Sequence, residues 1–332
     1  MKRTFFAVLL FMSNMVFSNV QVDNDSLAED FRSIAAKNFS RYRTINFSWE
    51  MDANHDYTLG LDGKELEKGR KETVHTLRFS TMIPIVKSHK ASLYANVQYR
   101  SYNFENHNHD GEISNIFKED SYSYYAGGLN GSYYARLFNR PLVLSADVFV
   151  DGWQKGWGEV QGRFAAVMVL KNTHQTTVSV GLMGMTHYSG TPVLPVITYW
   201  HRFANPNLSI DITLPSQMYL RYQMRHQRIS AGASMGSDNF YIKADLEGKP
   251  RVYYYNEAVV KPELLYEYII NRHFYISARA GFSTLVKGGL YTKKRKELEI
   301  ADEENGGKKS FLKTERSAVP FFNVGVSYSL FK

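Results

Sequence analysis

The sequence predicts an all-β chain folded as an antiparallel up-and-down transmembrane barrel, and three observations carry that expectation. Apolar and polar residues alternate with period two from about residue 42 almost to the end. No uncharged apolar run beyond residue 18 approaches the ~20 residues that a helical span needs. The connections between alternating segments are short and long by turns, as expected when one barrel end carries tight turns and the other carries long loops.

The alternation is plainest in residues 260–286. Val260, Leu264, Tyr266, Tyr268 and Ile270 share one face of the first arm, and Lys261, Glu263 and Glu267 the other. After Asn271-Arg272-His273, the second arm sets Phe274, Ile276, Ala278, Ala280 and Phe282 against Tyr275, Ser277, Arg279, Gly281 and Ser283. Side chains of a strand alternate between its faces, so each arm has an apolar and a polar side. Full charges among glycine and serine suit a wet interior, with the apolar side turned to lipid.

In chain order, residues 1–18 read as a secretory signal peptide. Lys2 and Arg3 precede an apolar run over residues 5–12, and Val16 and Ser18 stand at the −3 and −1 positions of a cleavage point. Residues 19–41 read as a periplasmic leader or a short plug helix. Ser26 and Glu29 have capping-box spacing, and Leu27, Phe31 and Ile34 share a helical face. The barrel then occupies residues 42–332. Its first strand sets Ile45, Phe47, Trp49 and Met51 opposite Thr44, Asn46, Ser48 and Glu50. The next two set Leu77, Phe79, Ile83 and Ile85, then Leu93, Ala95, Val97 and Tyr99, on the lipid side.

Leu129, Tyr133, Ala135 and Leu137 continue the pattern, followed by Leu142, Leu144, Ala146, Val148 and Val150, then Phe164, Ala166, Met168 and Leu170. Residues 208–225 read either as two short spanning strands or as an excursion into the lumen, so the count is about fourteen strands, with about twelve as the alternative. Ile229, Ala231, Ala233 and Met235 share a face, but beyond Gly236-Ser237-Asp238 the apolar set moves to Phe240, Ile242, Ala244 and Leu246. A β-bulge is the simplest cause of that slip in parity. The odd-numbered connections read as long charged loops and the even ones as turns of a few residues.

Composition bounds the function. The net charge of +8 includes Lys2 and Arg3, and the modest excess left does not imply nucleic acid. There are 23 Tyr and 21 Phe against 4 Trp, a high aromatic share that suits membrane interfaces. With no cysteine, neither a lipoprotein anchor nor a disulfide enters.

The inward face gathers Arg78, Arg100, Arg136, Arg163, Arg221, Arg225 and Arg279, with Glu50, Asp147, Asp211, Glu263 and Glu267 among them. These line a pore whose arginine excess favours anions, or they pair across a narrow, closed lumen. His107, His109, Asp110 and Glu112 have ligand chemistry but no partner cluster, so solvated loop residues are the better reading, and no metal or other cofactor is expected. His187 and Ser189 suggest a hydrolase without any supporting motif. Lys293 to Lys296 is basic, but Glu297, Glu299, Asp302, Glu303 and Glu304 share its loop, which reads as a solvated surface.

The chain closes on Tyr328-Ser329-Leu330-Phe331-Lys332. A final amphipathic strand with a terminal aromatic resembles the sorting signal of bacterial outer-membrane barrels, with the departure that Lys332 follows Phe331. Leu214-Pro215-Ser216-Gln217-Met218-Tyr219-Leu220-Arg221-Tyr222 resembles one uncharacterised family of such barrels in Bacteroidota-type bacteria. The resemblance implies Sec-type export to the outer membrane, with outer-membrane lipid and the barrel-insertion machinery as partners. The resemblance supplies no activity, and the function expected of the barrel itself is that of a non-enzymatic passive pore, uptake channel or structural surface protein. The alternatives are an outer-membrane lipid or ester hydrolase and a secreted soluble β-rich binding protein.

Overall fold

The computed structural model describes residues 43–330 except 62–63, 89, 105–106, 111–119, 187–192, 247–248, 272, 293–298 and 303–307. The signal peptide and leader, His187, Ser189, the 293–296 run and the terminal Phe331 lie outside the described residues.

Among the described residues nineteen strands form, in chain order. The first eight are β1 (Ile45–Asp52), β2 (His55–Leu61), β3 (Lys64–Lys71), β4 (Val74–Lys87), β5 (Ala91–Phe104), β6 (His107–Asp110), β7 (Ser121–Leu137) and β8 (Arg140–Trp153). There follow β9 (Gly156–Asn172), β10 (Thr176–Met185), β11 (Val193–Arg202), β12 (Leu208–Leu214), β13 (Gln217–Gln223), β14 (Gln227–Leu246) and β15 (Lys249–Ile269). The last are β16 (Phe274–Thr292), β17 (Glu299–Asp302), β18 (Lys308–Arg316) and β19 (Val319–Tyr328).

Fourteen of them close a ring in the order β1-β4-β5-β7-β8-β9-β10-β11-β12-β13-β14-β15-β16-β19 and back to β1, every pairing antiparallel. Closure matters because a free strand edge has unpaired backbone groups that lipid cannot satisfy. Residues 208–225 are thus two spanning strands, β12 and β13.

The faces fall as the alternation predicts. Leu264, Tyr266, Tyr268 and Ile270 point outward and are exposed, whereas Lys261, Glu263 and Glu267 are at most 7% exposed. Val148, Val160, Phe164, Leu182 and Ile276 join the outer belt. Exposed rings at Tyr133, Tyr222, Tyr268 and Phe274 edge the belt toward the short turns, where aromatics sit between acyl chains and headgroups.

At the other end the structure differs from the expected row of long loops. The connection between β1 and β4 is mostly the hairpin β2–β3, and that between β16 and β19 carries β17 and β18. Gln154 and Lys155 alone join β8 to β9, and a two-residue turn at Pro215 and Ser216 joins β12 to β13. Chain that reads as polar loop instead prolongs the sheet, because Gly69, Thr58 and similar residues interrupt the apolar pattern without preventing ladder hydrogen bonds.

The parity slip in β14 also has another cause. Pairing of β14 with β15 runs without a shift from Gln227↔Tyr268 to Leu246↔Lys249. Asn239, Phe240, Tyr241 and Ile242 are buried in succession, as are Tyr253 to Val259 on β15. A wall strand buries alternate residues; a run buried on both faces has left the wall. The upper halves of β14 and β15 therefore fold inward as a hairpin across the mouth. A bulge exists at this height on the other side of β15, where Ala258 pairs with Lys287 and Val259 with Leu285, leaving Val286 as the extra residue on β16, and beyond it β16 stays paired with β15 up to Tyr253↔Thr292.

Candidate functional site

The inward hairpin is packed on both faces. Cross-strand partners share a face, so Phe240 with Tyr255 and Ile242 with Tyr253 point one way, Tyr241 with Tyr254 the other. The first set packs among Tyr57, Leu59, Val74, Tyr102, Phe104, Tyr122 and Leu290, the second against Tyr124, Ala126, Trp153 and Tyr291. Phe240 stacks on Tyr122 with centroids 4.7 Å apart and lies 5.0 Å from Tyr102, within the range of favourable ring pairs. The hairpin also keeps β16 paired along its β15 arm from Tyr253↔Thr292 to Ala258↔Lys287, and these rings supply the surface that holds it.

Polar groups fasten the hairpin to the opposite wall. Tyr241 donates to Asp151 at 2.7 Å, although β14 and β8 stand nearly opposite in the ring. Asp151 is fully buried and also accepts from Gln161 Nε2 and the Glu159 amide. Arg78 pairs with Asp238 at 2.8 Å, and Arg100 donates to Asn239 Oδ1 and the Ser237 carbonyl. Above the wall, Glu257 accepts from Lys71, Arg316 and the Tyr255 hydroxyl. The Lys71 ammonium sits 5.4–5.7 Å from the ring centres of Tyr57, Phe104 and Tyr255. Burial by itself pushes the Glu257 carboxyl up, but Lys71 and Arg316 outweigh it and hold it at about 2. Burial, reinforced by Lys71, pushes His55 down to about 4.

Below the hairpin lies a polar chamber of about 290 Å³ between the walls of β1, β4, β5, β13–β16 and β19. Arg78, Arg100, Arg221, Lys261 and Arg279 face Glu50, Asp238, Glu263 and Glu267 there, five cations against four carboxylates. Glu50 takes Lys261 at 2.7 Å and Arg78 at 2.8 Å. Arg279 lies 3.6 Å from Glu263, which also accepts from Tyr219 and Ser234. Arg221 pairs with Asp211 at 3.2 Å. Toward the short turns, Glu267 accepts from both Arg43 and Arg228, and Arg43 lies over the Tyr275 ring.

Of the residues expected along the lumen, the structure brings Arg78, Arg100, Arg221, Arg279, Glu50, Glu263 and Glu267 together around the chamber. Arg163 pairs with Asp147, which also accepts from Asn96. Arg136 and Arg225 differ from the expectation. Arg136 keeps the inward parity of β7 but is exposed at its short-turn end, and Arg225 sits exposed in the turn after β13. A charge that can reach bulk water at a rim has no cause to enter the lumen.

Reading the sequence for charge missed what closes the mouth. The available signal was loss of alternation in Phe240-Tyr241-Ile242 and Tyr253-Tyr254-Tyr255, where neighbouring positions of both parities are apolar or aromatic. Among the described residues no three histidines, aspartates or glutamates gather as metal ligands.

No family model and no curated protein sequence matches the chain. Among solved structures it is similar to an outer membrane channel from Pseudomonas putida F1, at 10% identity and a TM-score of 0.35 over 86% of this chain and 96% of that one. It is similar also to the Pseudomonas putida toluene transporter TodX, at 8% identity and 0.35 over 97% and 98%. The outer membrane protease OmpT from Escherichia coli aligns at 7% and 0.28 over 86% and 96%. The neighbours are bacterial outer-membrane β-barrels; scores this low carry no argument about activity, and the fold rests on the closed strand pairing above.

Proposed function

We propose that the protein is an integral outer-membrane channel, with the short turns in the periplasm, whose outer mouth is held shut by the β14–β15 hairpin. The observation that carries the reading is the hairpin itself, folded across the lumen above a polar chamber built of charged side chains. A barrel serving only as a surface scaffold has no need of a polar chamber beneath a fastened cover. A permanently open pore does not fit a mouth packed with aromatic rings, so the passive pore expected from alternation becomes a gated one. Sec-type export and insertion by the barrel machinery belong to this reading, as does membership of the Bacteroidota-type family that residues 214–222 suggest. Non-enzymatic action belongs to it too.

Planar-bilayer recording tests the proposal. The parent protein gives few openings, and a Phe240→Ala/Tyr255→Ala variant, which loosens the packing without touching the wall, opens often. A variant that keeps its heat-modifiable folded band yet stays silent would overturn the channel in favour of a structural barrel.

A further inference from the structure

The barrel wall is uneven in height. β4, β5, β7, β8 and β9 run for 14 to 17 residues, but β12 and β13 have 7 each, where a tilted spanning strand needs ~9–11. From the exposed ring of Tyr222 at the short-turn rim, the chain climbs only six residues to Ser216. At ~3.4 Å per residue and a tilt of ~40° that climb is about 16 Å, against an apolar band about 25 Å tall. The β12–β13 turn therefore ends inside the hydrocarbon, and Leu214 and Met218 beside it are apolar and exposed.

Above the turn the wall has a gap. β11 pairs with β12 no higher than Ile197↔Leu214, and the Met235 amide donating to the Ser216 carbonyl at 2.8 Å is the last bond between β14 and that hairpin. Among the described residues nothing pairs with Val193 to Val196 on this side or with β14 beyond Met235 on its β13 side, because the upper half of β14 has left for the lumen. The opening spans three strand spacings, ~14 Å. Sheet edges stand at membrane depth only where they line a polar space or are covered by protein, and Pro195 on the β11 edge has no N–H to leave unpaired. A polar space adjoins the gap, since Ser216, Gln217, Gly236, Ser237 and Asp238 around it also line the chamber.

We propose that the chamber opens sideways through this gap to the outer leaflet and takes the head of a zwitterionic amphiphile, whose chain stays in the membrane. The inference rests on the channel reading for its orientation, with the short turns in the periplasm. Within the chamber Arg78 and Arg279 keep 25% and 27% of their side chains exposed and Asp238 17%, whereas Glu50, Glu263 and Glu267 keep 6% or less. A head that carries an anionic group beside an ammonium thus meets guanidinium and carboxylate in one space. The other lip suits the chain. Ala165, Val167, Met183, Met185, Leu194 and Val196 form a buried apolar strip on the lumen side of β9–β11, and Val193 and Ile197 are exposed on the lipid side. From Val193 to Ile197 an acyl chain meets no polar side chain.

The chain has no cysteine, so Ser237→Cys supplies a single thiol for a bimane in full-length protein folded into phosphatidylcholine vesicles. Phosphatidylcholine with a nitroxide on its choline quenches that bimane. Four alternating threonine and valine residues added to each arm of the β12–β13 hairpin bring it to spanning length, and quenching falls at least about threefold while the heat-modifiable band persists. Should the longer hairpin not insert, Gly236→Leu obstructs the gap instead, because a Cβ there meets only Val259 at 3.5 Å. A nitroxide amide of phosphatidylethanolamine, which has lost its ammonium, quenches at least about threefold less than the choline form. A bimane that stays bright in the parent overturns the inference, and so does quenching that survives the obstruction, which brings the head in through the mouth. Equal quenching by the two heads overturns the charge match. Silence in planar bilayers with the bimane still quenched removes the channel and leaves this site standing, so the two readings fail separately.

Discussion

Glu267 accepts from Arg43 at 2.6 Å and from Arg228 at 2.6 Å, with all three side chains at most 2% exposed. Removing one partner of a buried ion pair costs more than the pair contributes, because the remaining charges lose compensation without regaining water. Glu267→Ala therefore destabilises the barrel by about 3–5 kcal/mol, read as a lower temperature for loss of the compact gel band. Arg225, exposed in a turn, sets the contrast. Arg225→Ala changes stability by no more than about 0.5 kcal/mol. On the lipid side, Leu264 is 61% exposed at mid-strand, and Leu264→Arg costs about 2–4 kcal/mol in lipid vesicles. These outcomes together separate a charged interior from a charged surface.

At the scale of elements, the latch over the mouth is acid-sensitive in a stated direction. The folded protein holds Glu257 at about 2 against an ordinary 4.5, so its contribution is complete above pH 4.5 and is lost as pH falls toward 2. His55 lies near 4 against an ordinary 6.5, so the folded state resists protonation that the unfolded state accepts, and stability falls between pH 6.5 and 4. Both act at the hairpin end. Proteolysis of the hairpin, or channel opening, increases as pH drops from 7 to 4, and Glu257→Gln flattens the part of that dependence below about 4.5.

A steric wedge offers another handle on the same element. A Cβ added at Gly158 lies 1.9 Å from the Tyr241 hydroxyl and 2.1 Å from Asp151 Oδ1. Gly158→Ala prises that contact apart and raises the open fraction in bilayer recordings, with the wall pairing intact.

Elements also mark where sequence reasoning carries and where it stops. The wall strands were legible because each has one face in lipid and one in a wet lumen, so Leu264 and Glu263 report their environments directly. The hairpin was not, because both its faces are packed, and Phe240-Tyr241-Ile242 then reads as a shift of parity when it is an exit from the wall. The strip on β9–β11 was missed for a related reason. Ala165-Ala166-Val167-Met168-Val169 is apolar at both parities, and attention to its outward half left the inward half unread. Which carboxylate meets which arginine depends on the register of strands far apart in the chain, as with Arg78 and Asp238, and no local pattern encodes it.

For the whole molecule, ion pairing governs what the lumen favours. Five cations and four carboxylates around the chamber leave little net field, so an open variant is weakly selective, with a reversal potential near zero in a potassium chloride gradient. The anion preference expected from counting arginines disappears because those arginines already hold partners.

The most direct test is to lock the cover in place. Tyr122 and Phe240 stack across the mouth with ring centres 4.7 Å apart, and the sequence has no cysteine to compete. A Tyr122→Cys/Phe240→Cys protein, recorded first oxidised and then reduced in the same bilayer, is predicted to be silent until reductant frees the hairpin and to conduct thereafter. Conductance that ignores the disulfide, or silence in both states from a folded protein, would contradict the account.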